Sequence, residues 1–269
     1  MTTLRDEPFS PKAYWENRLT QKWGLHGVGH ISYGQPYNEW LYRARKRVFL
    51  QQVRQLPVCF PEAKVLDVGS GTGFWLNMWK SVGVRQLTGS DLTQVAVEHL
   101  QREQPDVHML QLDISDGEAV GRITQRFDLI SAFDVLFHVV DDRRFRDAIK
   151  HMAALLRPGG YFLFTDVLSH AGSYRAQHEV DRTITDYTRE LAENGFRTLR
   201  RVPVFVLMNA PQDSHFEFPR KVWRLAMAPV HLLPVLGYFY GAILYPVDAV
   251  LTRMLREGPA TEMVVCQKA

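Results

Sequence analysis

The strongest constraint on this chain lies in one stretch, Lys64-Val65-Leu66-Asp67-Val68-Gly69-Ser70-Gly71-Thr72-Gly73-Phe74-Trp75. An aliphatic run ends in an acid, glycines follow at alternate positions, and an apolar segment with helical spacing begins. This pattern predicts a buried strand, a sharp turn and a helix start. Glycine suits such a turn because a residue without Cβ bends freely and lets a ligand touch the backbone. A dinucleotide turn usually spaces its glycines GxGxxG to seat a pyrophosphate on the helix N-terminus. Here the spacing is GxGxG. Asp67 before the turn would repel a pyrophosphate and suit a ligand carrying an ammonium and a sulfonium.

From Ala63 onward, strand and helix patterns alternate, which predicts a parallel sheet with crossover helices. The strands are expected at about 63–68, 85–90, 107–112, 127–133, 161–165, 196–208 and 261–266. The helices are expected near 74–81, 93–101, 142–156 and 182–194. The turn Arg157-Pro158-Gly159-Gly160 stops the third of these helices and Gly195 the fourth. Asp67, Asp91, Asp113 and Asp166 close strands, and Asp134 follows strand four. In open α/β sheets ligands bind beyond the C-terminal strand ends. Several acids on one edge need donors or a cation to offset their burial.

The glycine stretch resembles motif I of the class I S-adenosylmethionine (SAM)-dependent methyltransferases. His108-Met109-Leu110-Gln111-Leu112-Asp113-Ile114 resembles the adenine motif of that family. Phe127-Asp128-Leu129-Ile130-Ser131-Ala132-Phe133-Asp134-Val135-Leu136-Phe137-His138-Val139 resembles its motif IV and the loop beyond, with Phe137 where an acid is common. Leu155-Leu156-Arg157-Pro158-Gly159-Gly160 matches its turn before strand five. The resemblance covers about 63–166. It implies a Rossmann-like, seven-stranded, mostly parallel sheet of order 3-2-1-4-5-7-6 flanked by helices. It also implies SAM as cofactor, S-adenosylhomocysteine as product, and a cofactor site built from Asp67, Gly69, Ser70, Gly71, Gly73, Phe74, Trp75, Asp91, Leu92, Asp113, Ile114, Phe133 and His138. Asp91 can accept from both ribose hydroxyls, in NAD as in SAM. Asp113 would accept from the adenine amine; a helix N-cap before Ser115-Asp116 is the competing reading.

Three regions follow from this division. Residues 1–60 form an N-terminal helical cap, 61–208 with 260–269 the SAM-binding core, and 209–259 a hydrophobic helical insert between strands six and seven. The cap carries a helix at 9–19, a Gly/His-rich loop at 23–34 and a helix at 37–56. Tyr14, Trp15, His30, Tyr33, Tyr37 and Trp40 are its candidates for an acceptor pocket, against plain core packing. The basic run Arg43, Arg45, Lys46 and Arg47 reads as a solvated face, with anionic-substrate or membrane-surface binding as the alternative.

Between Leu225 and Val247 the insert holds no formal charge when His231 is neutral. That length could span a bilayer. The return to the same sheet, and Pro229, Pro234 and Pro246, argue against a span. A lid over an apolar acceptor, a membrane-surface hairpin and a homodimer interface (within 219–257) all stay open.

Methyl transfer needs in-line orientation, which can supply up to roughly 7–11 kcal/mol, and for a hydroxyl acceptor also a base. His138 is the first candidate base, against a structural loop histidine; Asp166, His170 and His178 are secondary. The expected reaction is methylation of a small, hydrophobic or lipid-linked metabolite, most readily on oxygen. A nicotinamide-dependent oxidoreductase and a non-catalytic SAM-binding scaffold are the rivals, with an RNA methyltransferase behind them. A net charge of +3 gives no reason to expect nucleic acid. Cys59 and Cys266, with no CxxC pair, give none to expect a disulfide framework or a metal. With no apolar leader among residues 1–10, a cytoplasmic protein is expected, with contact to the inner membrane face if the insert binds lipid.

Overall fold

The computed structural model describes residues 9–170, 172–213 and 217–269. The leader reading of the first eight residues and insert positions 214–216 lie outside the described residues. The elements are α1 (Pro11–Gln21), α2 (Leu25–Val28), a 3-10 turn (Ile31–Tyr33), α3 (Gly34–Val53), β1 (Lys64–Val68), α4 (Phe74–Ser81), β2 (Gln86–Asp91), α5 (Gln94–Glu103), β3 (His108–Gln111), α6 (Gly117–Gly121) and β4 (Phe127–Phe133). There follow a second 3-10 turn (Leu136–His138), α7 (Asp142–Leu155), β5 (Leu156–Val167), a small ribbon of β6 (Tyr174–Arg175) and β7 (Val180–Asp181), α8 (Ile184–Glu193), β8 (Phe196–Pro203), α9 (Glu217–Leu232), α10 (Leu236–Met254) and β9 (Thr261–Lys268).

Seven strands form one sheet in the order β3-β2-β1-β4-β5-β9-β8. The strands from β3 to β5 pair in parallel; β9 runs antiparallel to both β5 and β8. This is the expected order, with β8 and β9 as strands six and seven. Alternate residues of each central strand face opposite layers, as the two-residue period requires. Val65, Leu129, Leu163 and Val265 join one core with Leu41 and Phe49 of α3 and Leu76 and Trp79 of α4. Leu66, Ile130, Phe162 and Val264 join the other with Phe145 and Ile149 of α7 and Leu191 of α8.

Some boundaries differ from expectation. Strand six ends at Pro203 rather than near 208. Beyond it the backbone leaves the sheet, and the N–H groups of Val206, Leu207 and Met208 donate to Oδ1 of Asp248, at 2.8, 2.6 and 3.2 Å. That buried acid of α10 replaces the strand's hydrogen bonds. Helix α8 starts two residues later than expected because Thr183 caps it in a box with Asp186. The loop expected at 23–34 contains the short helix α2.

The basic run on α3 is not a solvated face throughout. Arg43 and Lys46 are exposed, whereas Arg45 is buried. Its Nε lies 2.8 Å from Oδ2 of Asp134, and its guanidinium stands over the rings of Tyr42 and Phe205. Arg47 donates to Thr252 Oγ1 of α10 at 2.9 Å. The charge pattern predicted solvent; tertiary partners just after β4, just after β8 and on α10 draw two of the four cations inward.

The insert packs its helix α10 along α3. A Cβ on Gly237 would meet Tyr37 Cβ at 2.8 Å, and one on Gly241 would meet Trp40 Cδ1 at 2.1 Å. These glycines let the two helices approach. Among the described residues no helix is long and apolar enough to cross a membrane.

Candidate active site

A cavity opens at the C-terminal ends of β1, β2, β3 and β4. It is lined by the β1–α4 turn (Val68 to Thr72), by Asp91 and Leu92, by Leu112, Asp113 and Ile114, and by Phe133, Asp134 and Val135. Phe74 and Trp75 of α4 and His138 and Val139 of the turn after β4 add to the wall. Pro11, Trp15, Leu19, Val28 and Tyr42 reach it from the N-terminal cap.

The turn is shaped for a ligand to meet bare backbone. Gly69, Gly71 and Gly73 all have positive φ, at 71°, 54° and 80°, where other residues are strained. A Cβ on Gly69 would collide with Val135 at 2.4 Å. Gly73 serves a different purpose from the one expected. It lies outside the lining, and a Cβ there would strike Leu100 of α5 and Gln104 at its C-terminal cap. Its role is packing α4 against α5.

The strand-end acids find protein donors rather than waiting for a ligand. Asp67, expected to face the ligand, is buried below the turn. It accepts from Ser70 Oγ at 2.9 Å and Ser131 Oγ at 2.6 Å, and Trp79 Nε1 in turn donates to Ser131. Burial pushes the Asp67 carboxyl up to about 7.

Asp91 does line the cavity. Its Oδ1 takes the N–H and hydroxyl of Thr93 at 2.9 and 2.7 Å, and its Oδ2 the N–H of Gly71 at 2.9 Å. A carboxylate offers roughly four lone-pair sites, so Oδ2 retains room for one donor rather than two ribose hydroxyls. Asp113 also lines the cavity. Its Oδ1 receives the Ser115 N–H at 2.9 Å, and its Oδ2 pairs with Arg144. It does not cap α6, whose N-cap is Asp116.

Asp134 was not among the expected site residues. It is the one described non-glycine residue with positive φ, at 57°, a conformation aspartate tolerates better than most residues. Its N–H donates to Thr165 Oγ1 at 2.7 Å; that hydroxyl donates back to Oδ1, and Arg45 holds Oδ2. Asp134 is thus held at three points beside the cavity.

His138 is half-buried in the cavity wall. Its Nδ1 lies 2.8 Å from the His178 carbonyl oxygen. A carbonyl only accepts, so Nδ1 carries the hydrogen and Nε2 keeps its lone pair. Burial lowers the imidazole pKa to about 4, against the raising effect of that hydrogen bond. Trp15 packs edge-on against this ring, with centroids 4.8 Å apart.

The secondary candidates stand elsewhere. Asp166 is fully buried and accepts the Tyr187 hydroxyl of α8 and the Val167 N–H. Successive strand residues face opposite ways, so Thr165 reaches Asp134 while Asp166 turns to α8. His170 is exposed and pairs with Asp213 at 2.6 Å. His178 contributes its carbonyl to His138, and its ring stacks on Tyr14.

Of the six cap candidates, the cavity takes only Trp15. Tyr14 receives Arg18 Nη1. His30 packs on Tyr33, and Tyr37 donates to the Met208 carbonyl. Trp40 lies against Tyr238 and Tyr245 of α10. Each takes part in packing outside the lining. Leu19, Val28 and Tyr42, which do line the cavity, carried no distinguishing sequence signal. Their place depends on how the cap is anchored. Arg18 bonds the carbonyls of Gly27 and Gly29 at 2.6 and 2.7 Å, and Glu16 accepts the Gln94 and Val95 N–H groups at the start of α5.

No residue of the insert lines the cavity among those described, so the lid reading does not fit its position. Nor do three or more His, Cys, Asp or Glu side chains cluster to hold a metal among the described residues. The residues do fit SAM. They combine a backbone-lined glycine turn, an acid with a spare acceptor site at the end of β2, and Asp113-Ile114 on the adenine side of the expected arrangement.

Comparison with known proteins agrees. Over 114 residues the chain is 33% identical to a ubiquinone biosynthesis O-methyltransferase of Coxiella burnetii, covering 41% of this chain and 46% of that protein. It is 28% identical over 143 residues to a malonyl-[acyl-carrier protein] O-methyltransferase of Enterobacter lignolyticus, covering 51% and 54%. The chain thus spans about half the length of these curated relatives. The N-methyltransferase NodS of Bradyrhizobium japonicum, solved with S-adenosylhomocysteine, shares the fold. Its TM-score is 0.59 at 15% identity, over 97% of this chain and 99% of that one. Residues 37–216 match the family described as "Methyltransferase domain". The chain belongs to this methyltransferase family, in its class I, Rossmann-like, SAM-dependent form.

Proposed function

We propose that the chain moves a methyl group from SAM to an oxygen of a small, apolar acceptor. The observation that carries this reading is one cavity with two kinds of wall. A glycine turn and strand-end acids meet an apolar set of Trp15, Leu19, Val28 and Tyr42 there, with His138 in the same lining. In this reading Gly69, Ser70 and Gly71 hold the amino-acid end of SAM, Asp91 a ribose hydroxyl, and Asp113 with Ile114 the adenine. The bound cofactor supplies a methyl already activated by its sulfonium, so the protein mainly orients the acceptor.

His138 has the tautomer for a base. Its Nε2 lone pair would take the acceptor hydroxyl's proton while its Nδ1–H stays on the His178 carbonyl, and a bound SAM would supply the methyl and leave as S-adenosylhomocysteine. Burial lowers its pKa to about 4, so the imidazole is neutral throughout the neutral range, and it is a weaker base than a solvent-exposed histidine. The two curated relatives matched at 33% and 28% identity are named as O-methyltransferases, which supports oxygen; an EEF1A lysine methyltransferase of Danio rerio, matched at 25%, is named for a nitrogen acceptor.

The test is a panel of apolar phenols, carboxylic acids and amines, incubated with SAM and followed by mass spectrometry. Methyl ethers or esters are expected. His138→Ala should slow their formation by about 10²–10⁴-fold while calorimetry finds S-adenosylhomocysteine affinity nearly unchanged. Methylation confined to amines, at a rate indifferent to His138, would overturn the oxygen reading. Preferential binding of NAD(H) would overturn the cofactor assignment.

A further inference from the structure

The α9–α10 hairpin has an outer face that none of the described residues covers. Among the described residues, the large apolar side chains left exposed all fall between Phe218 and Leu255, apart from Ile31, Tyr174 and Leu207. They recur with helical spacing: Phe218, Leu225 and Leu232 along α9, and Phe239, Ile243 and Val250 along α10. Leu225 is 77% exposed and Ile243 69%. Isolated apolar side chains on a surface need no explanation, whereas a continuous stripe on two adjacent helices does.

The inner face fixes the direction of this stripe. Met227 and Val230 of α9 enter the core, and Gly237 and Gly241 press α10 onto α3. The hairpin is therefore a packed part of the molecule.

The exposed charges on it are of one sign except at the start of α9, where Glu217 pairs with Lys221 at 2.8 Å. From Phe218 to Arg256 the sequence holds a single acid, Asp248, and that carboxylate is buried against the backbone after β8. Lys221, Arg224, Arg253 and Arg256 are all exposed. An apolar stripe edged by cations complements anionic headgroups over an acyl layer. Two copies pairing through the same face would bring these like charges together at its rim. No described helix is long and apolar enough to cross a bilayer, so the hairpin would lie along the interface.

We propose that the outer face of α9 and α10 docks this protein on an anionic lipid surface. In this arrangement the apolar stripe enters the acyl boundary and the four cations contact headgroups.

The experiment is vesicle flotation of the full chain, using phosphatidylcholine alone and phosphatidylcholine mixed with phosphatidylglycerol. Binding is expected on the mixed vesicles, weakening with salt and on neutral vesicles. The triple variant Leu225→Glu, Phe239→Glu, Ile243→Glu should lose it. Arg224→Glu with Arg253→Glu should lower partitioning by about tenfold or more. S-adenosylhomocysteine affinity, unchanged in both variants, reports that the fold is intact. Wild-type protein that stays unbound on mixed vesicles would overturn the proposal. So would binding indifferent to both sets of substitutions, or a solution dimer that the triple variant dissociates and that never binds vesicles.

Discussion

The buried pair of Arg45 and Asp134 gives a quantitative test of how the cap is tied to the site. The side chains are 9% and 22% exposed, with 2.8 Å between Nε and Oδ2. At an effective dielectric of about 20, that separation corresponds to an attraction of about 6 kcal/mol, most of it offset by the desolvation of both groups. Replacing Arg45 by Met keeps the apolar stem beside Tyr42 and Phe205 and removes the charge. Asp134 is then left with the Thr165 hydroxyl alone. Breaking a buried pair on one side costs about 3–5 kcal/mol. Residual exposure of Asp134 points to the lower end, about 3 kcal/mol, which lowers Tm by roughly 6–12 °C. Asp134→Asn should cost a similar amount by orphaning Arg45, because asparagine tolerates the left-handed backbone. The double variant should cost much less than the sum, with a coupling of about 1.5–3 kcal/mol. Guanidinium denaturation of the four proteins, with cofactor excluded, measures the cycle. Single-variant costs below about 0.5 kcal/mol, or strict additivity, would refute the reasoning and return Arg45 to the status of a surface charge.

Three further outcomes are expected. If Asp91 accepts from the ribose as proposed, Asp91→Ala should weaken S-adenosylhomocysteine binding sharply in calorimetry, with the Gly71 N–H released as well; unchanged affinity would remove Asp91 from the site. Asp67 has a folded pKa of about 7 against about 3.9 for an unperturbed aspartate, so the folded protein binds the extra proton. Its contribution makes stability fall as pH rises from about 4 to about 7, and urea titrations should find that slope reduced in Asp67→Asn. Gly241→Ala would drive a methyl group into Trp40, costing about 1–3 kcal/mol as overpacking does; an unaltered melting temperature would mean that α10 is not pressed on α3.

Much of the molecule was legible in its residues. The GxGxG turn, the alternation of strand and helix signals and the acids at strand ends predict a parallel sheet with a ligand edge, and the family resemblance implies the strand order that the structure reproduces. Gly69, Ser70, Gly71, Asp91, Asp113, Phe133 and His138 do line one cavity. These features are local: a tight turn needs glycine, and a strand's side chains alternate whatever surrounds them.

Only the tertiary structure decided which of several similar residues serve the site. Asp67 and Asp166 end strands as Asp91 does, yet their side chains project to Ser131 and to Tyr187. Arg45 and Arg43 stand in the same basic run, yet one meets Asp134 and the other stays exposed. The insert reads equally as lid or as surface until its glycines seat it on α3, away from the cavity. In each case the chemistry of the residue was visible in the chain. Its partner lay tens to hundreds of positions distant, and only folding brings such groups together.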